Sequence, residues 1–238
     1  MGGAPPQPES LEEVTRQGQE RLFPGFTNPS YLVLSRRRRI FEAWLKEFPG
    51  ANLSVLDLGG RIQPYRRLVA ERLGPYVAVD LRRTPLVDVV ARGEQIPLAT
   101  DLFDVVFCTQ VLEYIPQPQL VIAEIYRVLK PNGILLLSVP SAFLRDSDSE
   151  YWRFLPASLR MLLSSFSRVE IAAEGGSISG LFRTVNICTV SFAKPSVLRE
   201  FLRFTLIPIL NLAAIGLEYL SGSKNDQFTV NYSVLAQK

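Results

Sequence analysis

Short apolar runs alternate with helical patterns along most of the chain. Five such runs predict strands, at residues 54–58, 76–80, 87–90, 103–108 and 134–139. Apolar positions at helical spacing predict helices at 31–48, 65–73, 118–129 and from Pro156 onward. The 134–139 run is almost continuously apolar, which is typical of a parallel strand buried on both faces. Strands alternating with helices predict an α/β fold with a doubly wound, mostly parallel sheet.

The pattern changes after residue 168. Residues 169–173 predict a sixth strand, whereas residues 228–236 alternate apolar and polar side chains with a period of two. That period indicates a strand with one buried face, antiparallel or near an edge. The sheet is therefore expected to hold about seven strands, with the last strand antiparallel.

A long apolar segment, residues 201–220, precedes the last predicted strand. Its charge-free core, 204–217, is shorter than the roughly 20 residues that a membrane span needs. We expect a pair of buried helices or a hydrophobic lid, within a variable insertion at 177–227. The alternatives are a peripheral membrane contact or a homodimer surface formed by 201–220.

The first thirty residues are rich in Pro, Gly, Gln and Glu and contain no apolar leader segment. They predict a flexible N-terminal arm before a single domain at 31–238. Four consecutive arginines, 36–39, follow within the first predicted helix. Because they fan around most of the helix, we expect a solvated surface, with phosphate or anionic-lipid contact as the alternative.

The amino-acid composition excludes several kinds of partner and of active site. The 26 basic and 23 acidic residues give a net charge of only +3, so no nucleic-acid partner is expected. Two distant cysteines predict no disulfide framework and favour a cytoplasmic protein, which the apolar segment could bring to a membrane surface. The complete lack of histidine excludes a histidine base and histidine-ligated metals, and no metal site is predicted.

Four stretches resemble the class I S-adenosylmethionine-dependent methyltransferases, in particular the small bacterial group called type 11. They are VLDLGGRIQPY from residue 55, VAVDLRR from 77, FDVVFCTQVLEYIPQP from 103 and EIYRVLKPNGILLLSVP from 124. The resemblance covers about residues 30–175, and EYWRFLPASLRMLL from residue 150 is similar to a segment of the same branch. It implies a Rossmann-like sheet and S-adenosylmethionine as the cofactor.

The resemblance also implies a cofactor site at the carboxyl edge of the sheet. The Gly59–Gly60 turn lets the backbone approach the cofactor, and Asp80 can accept both ribose hydroxyls. Asp57 is placed to hold the turn amides or, through water, the cofactor's amino group. The predicted cofactor-binding residues are Asp57, Gly59, Gly60, Tyr65, Asp80, Leu81, Glu94, Gln95, Thr109 and Gln110.

Methyl transfer depends mostly on alignment, and a hydroxyl acceptor also needs a base. We expect a small-molecule, sugar or lipid-linked acceptor, covered by the 201–220 segment. The candidate bases lie in the loops after the fourth and fifth predicted strands: Glu113, Tyr114, Asp146, Asp148, Glu150 and Tyr151. An NAD enzyme is disfavoured because the turn has no G-x-G-x-x-G spacing.

A second hypothesis is a catalytically degenerate, methyltransferase-like binding or scaffold domain. It rests on two arginines. Arg61 stands where the first motif usually has glycine, and Arg92 stands where the family commonly has an acidic residue near the adenine.

Overall fold

The computed structural model describes residues 9–142, 144–145, 147–221 and 225–238. It contains one seven-stranded sheet in the order β3-β2-β1-β4-β5-β7-β6. The strands are β1 Leu53–Leu58, β2 Leu73–Asp80, β3 Val89–Val90, β4 Phe103–Thr109, β5 Leu129–Pro140, β6 Arg168–Ala173 and β7 Asn231–Gln237. The helices are α1 Leu11–Leu22, α2 Tyr31–Glu47, α3 Pro118–Val128, α4 Pro156–Leu162, α5 Ser177–Phe192 and α6 Ser196–Ser221, with 3₁₀ helices at Pro64–Arg72 and Leu112–Tyr114.

Strands β1 to β5 pair in parallel, and β7 pairs antiparallel with both β5 and β6. The strand order reverses between β1 and β4, which is the place where open α/β sheets bind ligands at their carboxyl ends. The predicted Rossmann-like sheet with an antiparallel last strand is confirmed.

Alternate residues of the central strands face two separate apolar layers. On β1, Leu56 packs in the layer that contains Ile125 of α3, whereas Val55 packs in the layer that contains Phe41 and Leu45 of α2. Each central strand is therefore buried on both faces, which explains its near-continuous apolar sequence.

The prediction of one buried face for the last strand is wrong. All residues of β7 from Asn231 to Ala236 are buried, because β7 lies inside the sheet between β5 and β6. Its polar side chains face a buried carboxylate: Ser233 Oγ donates to Glu174 Oε1 at 2.8 Å. The alternation therefore reflects an internal polar contact rather than a solvated face.

The expected N-terminal arm differs from the structure over residues 11–22, which form α1. Ser10 caps this helix by accepting a hydrogen bond from the Glu13 amide at 3.2 Å. Val14 and Leu22 are fully buried, and a Cβ on Gly18 would lie 2.2 Å from the carbonyl oxygen of Ile62. Although α1 is mostly polar, it is thus stabilised by close packing against the segment that follows β1. Residues 1–8 lie outside the described part of the chain.

Helices α5 and α6 fill the predicted insertion between β6 and β7 and pack against each other. The prediction of buried helices is wrong for α6, in which only Ile207, Asn211 and Ala214 are buried. The rest of this 26-residue helix is exposed or half-buried.

Candidate active site

The glycine turn after β1 is shaped by close backbone packing. Gly59 has a φ of +80°, and a Cβ added there would lie 2.3 Å from Cγ2 of Val111. A Cβ on Gly60 would lie 2.6 Å from the carbonyl oxygen of Asp57. Both positions therefore require glycine, which leaves an open backbone surface at the strand switch point.

Two carboxylates lie near the carboxyl ends of the strands beside this turn. Asp80 closes β2, and its Oδ1 accepts a hydrogen bond from the Arg82 amide at 2.8 Å. Asp57 is buried in β1 and accepts a hydrogen bond from the Tyr76 hydroxyl at 2.7 Å, so its partner is this tyrosine rather than the turn amides. Burial raises the pKa of Asp57 to about 6, although the Tyr76 hydrogen bond opposes the shift.

Arg61, the residue after the glycine turn, is held by the N-terminal segment. Its Nη1 donates to Oε1 and Oε2 of Glu9 at 2.6 and 2.7 Å, and Arg82 also approaches Glu9 at 3.7 Å. The hydrogen bond from Arg61 is the main cause that lowers the pKa of Glu9. The charge of Arg61, where the motif usually has glycine, is thus neutralised by Glu9. Sequence reasoning did not identify this carboxylate.

A cavity of about 640 Å³ opens beside the carboxyl ends of β4 and β5. The residues following β4 form one wall, and α1, α2 and α5 contribute others. Its charged lining consists of Glu20, Arg21, Arg37, Arg61, Glu113, Glu150, Arg153 and Arg183. The cavity therefore adjoins the strand switch point and is rich in guanidinium groups.

Glu113 is the buried carboxyl group of this cavity. It lies in the 3₁₀ helix Leu112–Tyr114 and is only 2% exposed. Its Oε2 has no hydrogen-bond partner among the residues that the structure describes. Burial raises the pKa of Glu113 to about 7, while Arg37 and Arg21 act in the opposite direction. A carboxyl group of this kind can accept a proton near neutral pH.

Residues 56–137 match the family model of the methyltransferase domain. A malonyl-[acyl-carrier protein] O-methyltransferase of Alcanivorax borkumensis is 35% identical over 130 residues, which cover 48% of this chain and 39% of that protein. The chain therefore carries a domain similar to the class I S-adenosylmethionine-dependent methyltransferases.

Other similar proteins agree with this family. A ubiquinone biosynthesis O-methyltransferase of Xanthomonas oryzae pv. oryzae is 35% identical over 130 residues, which cover 52% of this chain and 51% of that protein. A solved methyltransferase structure from Archaeoglobus fulgidus shares the fold with a TM-score of 0.53 at 16% identity, covering 86% of this chain and 95% of that one. The chain spans about half, or less, of the length of the curated relatives described here.

S-adenosylmethionine is the cofactor of class I methyltransferases, and the carboxyl edge of this sheet fits it. The two glycines leave room for backbone approach, and Asp80 presents a carboxylate at the end of β2. Thr109 ends β4, which pairs with β1, and Gln110 is the next residue. Asp80, Gly59, Gly60, Thr109 and Gln110 all lie at this edge, and their contact with the cofactor stays a prediction.

The other predicted cofactor-binding residues differ from one another in burial and position. Tyr65 is 1% exposed and stacks on Phe107 with ring centroids 5.7 Å apart, so its position is that of a core residue. The Leu81 side chain is exposed after β2. Glu94 is paired with the exposed Arg92 at 2.8 Å, and Gln95 is exposed beside it.

The candidate bases also differ in their position and exposure. Tyr114 and Glu150 line the cavity with Glu113, and Glu150 pairs with Arg153 at 2.7 Å. The Asp148 side chain is 89% exposed and pairs with Arg145. Tyr151 is exposed, and its backbone amide donates to the Glu113 carbonyl at 2.7 Å. Asp146 lies outside the described residues.

Sequence reasoning missed a buried ion pair on the floor of the cavity. Arg37 Nε lies 2.9 Å from Glu174 Oε1, and Nη2 lies 2.8 Å from Oε2. Ser138 and Ser233 also donate to Glu174. The prediction that the arginine run 36–39 is solvated is therefore wrong for Arg37, which is buried. The spacing of Arg37 in the sequence could have predicted its burial, because Val33, Arg37 and Phe41 lie on the same face of α2.

Proposed function

We propose that this chain is an S-adenosylmethionine-dependent O-methyltransferase that acts on a hydroxyl of a small-molecule, sugar or lipid-linked acceptor. The observation that carries the proposal is Glu113, a buried carboxyl group with a pKa raised to about 7 in a cavity beside the cofactor edge. Among the other candidate bases, Asp148 and Tyr151 are exposed, whereas Glu113 is only 2% exposed.

The cofactor and the acceptor would bind in two neighbouring regions. Gly59, Gly60 and Asp80 would hold the cofactor, which supplies an electrophilic methyl group when bound. The cavity would hold the acceptor, and Glu113 would take the proton from its hydroxyl group. Alignment of the cofactor with the acceptor lowers the activation free energy of such reactions by up to roughly 7–11 kcal/mol.

The arginines of the cavity would orient the acceptor. Arg37 and Arg61 are matched by Glu174 and Glu9, whereas Arg21 makes no hydrogen bond through its buried Nε among the described residues. Arg21 also lies near enough to Glu113 to lower its pKa. It would therefore favour the ionised form of the base and attract polar oxygens of the acceptor.

Titration with S-adenosylhomocysteine tests the cofactor site. We expect saturable heat with the unaltered chain and at least about tenfold weaker binding for Asp80→Asn, because charge-assisted hydrogen bonds to the ribose are lost. Asp148→Asn is the matched control, since Asp148 is exposed outside the cavity. Absence of heat and of a thermal shift at millimolar ligand would reject the enzyme proposal.

The second candidate function, a degenerate binding or scaffold domain, is favoured by Arg61 and by the exposed Arg92. The two candidates differ in one measurable respect. Turnover with any hydroxyl acceptor supports the enzyme, whereas ligand binding without turnover across acceptor classes supports the scaffold domain.

A further inference from the structure

We propose that helix α6 docks the protein on the surface of an anionic lipid bilayer, lying in the plane of the membrane. This inference rests on the surface of α6 and its surroundings, and it holds whether or not the cavity supports methyl transfer. Among the described residues, α6 is long and apolar enough, by length and composition alone, to cross a membrane.

The outward face of α6 is apolar where a surface helix normally carries charge. Side chains at helical spacing along this face are exposed: Val197, Leu198, Phe201, Phe204, Ile209, Leu212, Ile215, Tyr219 and Leu220. Thr205 is a polar residue on the same side. The four charged residues of α6, Arg199, Glu200, Arg203 and Glu218, fall on the other sides of the helix. A continuous apolar face of this length marks a surface that another apolar phase covers.

The inner face of α6 is fastened to the body by polar contacts. Asn211 is fully buried, accepts from Asn186 of α5 at 2.9 Å and donates to the Phe26 carbonyl at 2.8 Å. Glu218 accepts from the Gly176 amide and from Ser179 Oγ, both at 2.7 Å. Leaving the body to span a bilayer would break these bonds in a medium that offers no replacements. The contacts therefore favour a helix that lies on the membrane.

Basic side chains border the apolar face at both ends. Lys194 and Arg199 are exposed near the start of α6. Arg36 and Arg39 of α2 are exposed beside a groove that Ile215 and Tyr219 also line. Of the acidic residues nearby, Glu200 approaches Arg203 at 3.6 Å and Glu218 points inward. Asp226, which lines the same groove, accepts a hydrogen bond from the Tyr232 hydroxyl at 3.2 Å. This distribution complements an anionic headgroup layer.

The docked orientation would also serve the cavity. Arg183 and Ile187 of α5 line the cavity, while α5 packs on α6. The cavity wall and the membrane-facing helix are therefore parts of one helical pair. Docking through α6 would therefore hold the α5 wall of the cavity close to the bilayer.

Co-sedimentation with phosphatidylcholine vesicles, with or without phosphatidylserine, tests the proposal. We expect the unaltered chain to sediment with the anionic vesicles and to be released by salt. The double variant Phe201→Glu, Leu212→Glu should stay in the supernatant. The matched control Leu120→Glu, Met161→Glu changes two exposed apolar residues elsewhere and should still sediment. Circular dichroism checks that each variant is folded.

A second variant tests the charge border without altering the apolar face. Arg36→Gln with Arg39→Gln should weaken binding to anionic vesicles several-fold. Three results would overturn the proposal: an unaltered chain that remains wholly in the supernatant, a membrane-bound chain that resists extraction by alkaline carbonate, and a soluble dimer that Phe201→Glu, Leu212→Glu dissociates. The last result would assign the apolar face to a second copy of this chain.

Discussion

Replacing Glu113 by glutamine should lower the rate of methyl transfer by about 10²- to 10⁴-fold, because the acceptor hydroxyl loses its proton acceptor. The amide has nearly the same shape as the carboxyl group, so the cavity should be preserved. Binding of S-adenosylhomocysteine should change little, since Glu113 lies in the cavity rather than in the glycine turn. Initial rates with a hydroxyl acceptor and calorimetry with the product provide the two measurements.

The pH profile distinguishes a base from a residue that only shapes the cavity. Glu113 must be deprotonated to act, and burial raises its pKa to about 7. The rate should therefore fall as the pH drops below about 7 and level off above it. Glu113→Gln should remove this limb, whereas Asp148→Asn should retain it. If Glu113→Gln keeps full turnover while replacement of Asp148 and Glu150 together abolishes it, the base lies in the later loop.

Replacing Arg37 by methionine should lower the free energy of unfolding by about 3–5 kcal/mol, because Glu174 would remain charged and buried without its partner. Arg37 is 2% exposed and Glu174 is fully buried, and the pair joins α2 to the residue that follows β6. Urea denaturation followed by circular dichroism measures the loss. The expected effect is large because the desolvation of both charges is offset mainly by their mutual contact.

Two further variants make this prediction specific. Arg39→Met alters an exposed residue of the same helix and should change stability by less than about 0.5 kcal/mol. The double variant Arg37→Met, Glu174→Gln should lose less than the sum of the two single variants, since no unpaired charge is left. Equal losses for Arg37→Met and Arg39→Met would show that the buried pair contributes little to stability.

The sequence pattern was sufficient for the central sheet. Strands such as β1 and β5 are buried on both faces, so their apolar runs are long and unambiguous. Helix α1 was not predictable from the same signal, because only Val14, Gly18 and Leu22 of its twelve residues are buried. The composition of the segment is polar, and its helix depends on packing that a local pattern does not contain.

Burial of charged residues was the main source of error at the site. Glu113 was one of several equal candidates, and the structure separates it by enclosing it in the cavity wall. Arg37 was assigned to a solvated surface because four consecutive arginines fan around most of the helix. Its partner Glu174 lies 137 residues away in the chain, so the pairing depends on the tertiary fold. For Tyr65, motif position predicted an edge residue and the structure has a core residue.

The helical pair α5 and α6 leaves the sheet and returns to it at almost the same place. Ala173 at the end of β6 is opposite Tyr232 near the start of β7. The pair is closed at its base, where the Ser177 amide donates to the Asn225 carbonyl at 2.8 Å. Helices that depart and rejoin at adjacent strands can change in length or polarity without shifting the strand register. The outer helix α6 can therefore vary in length or polarity while the strand register of the sheet is kept.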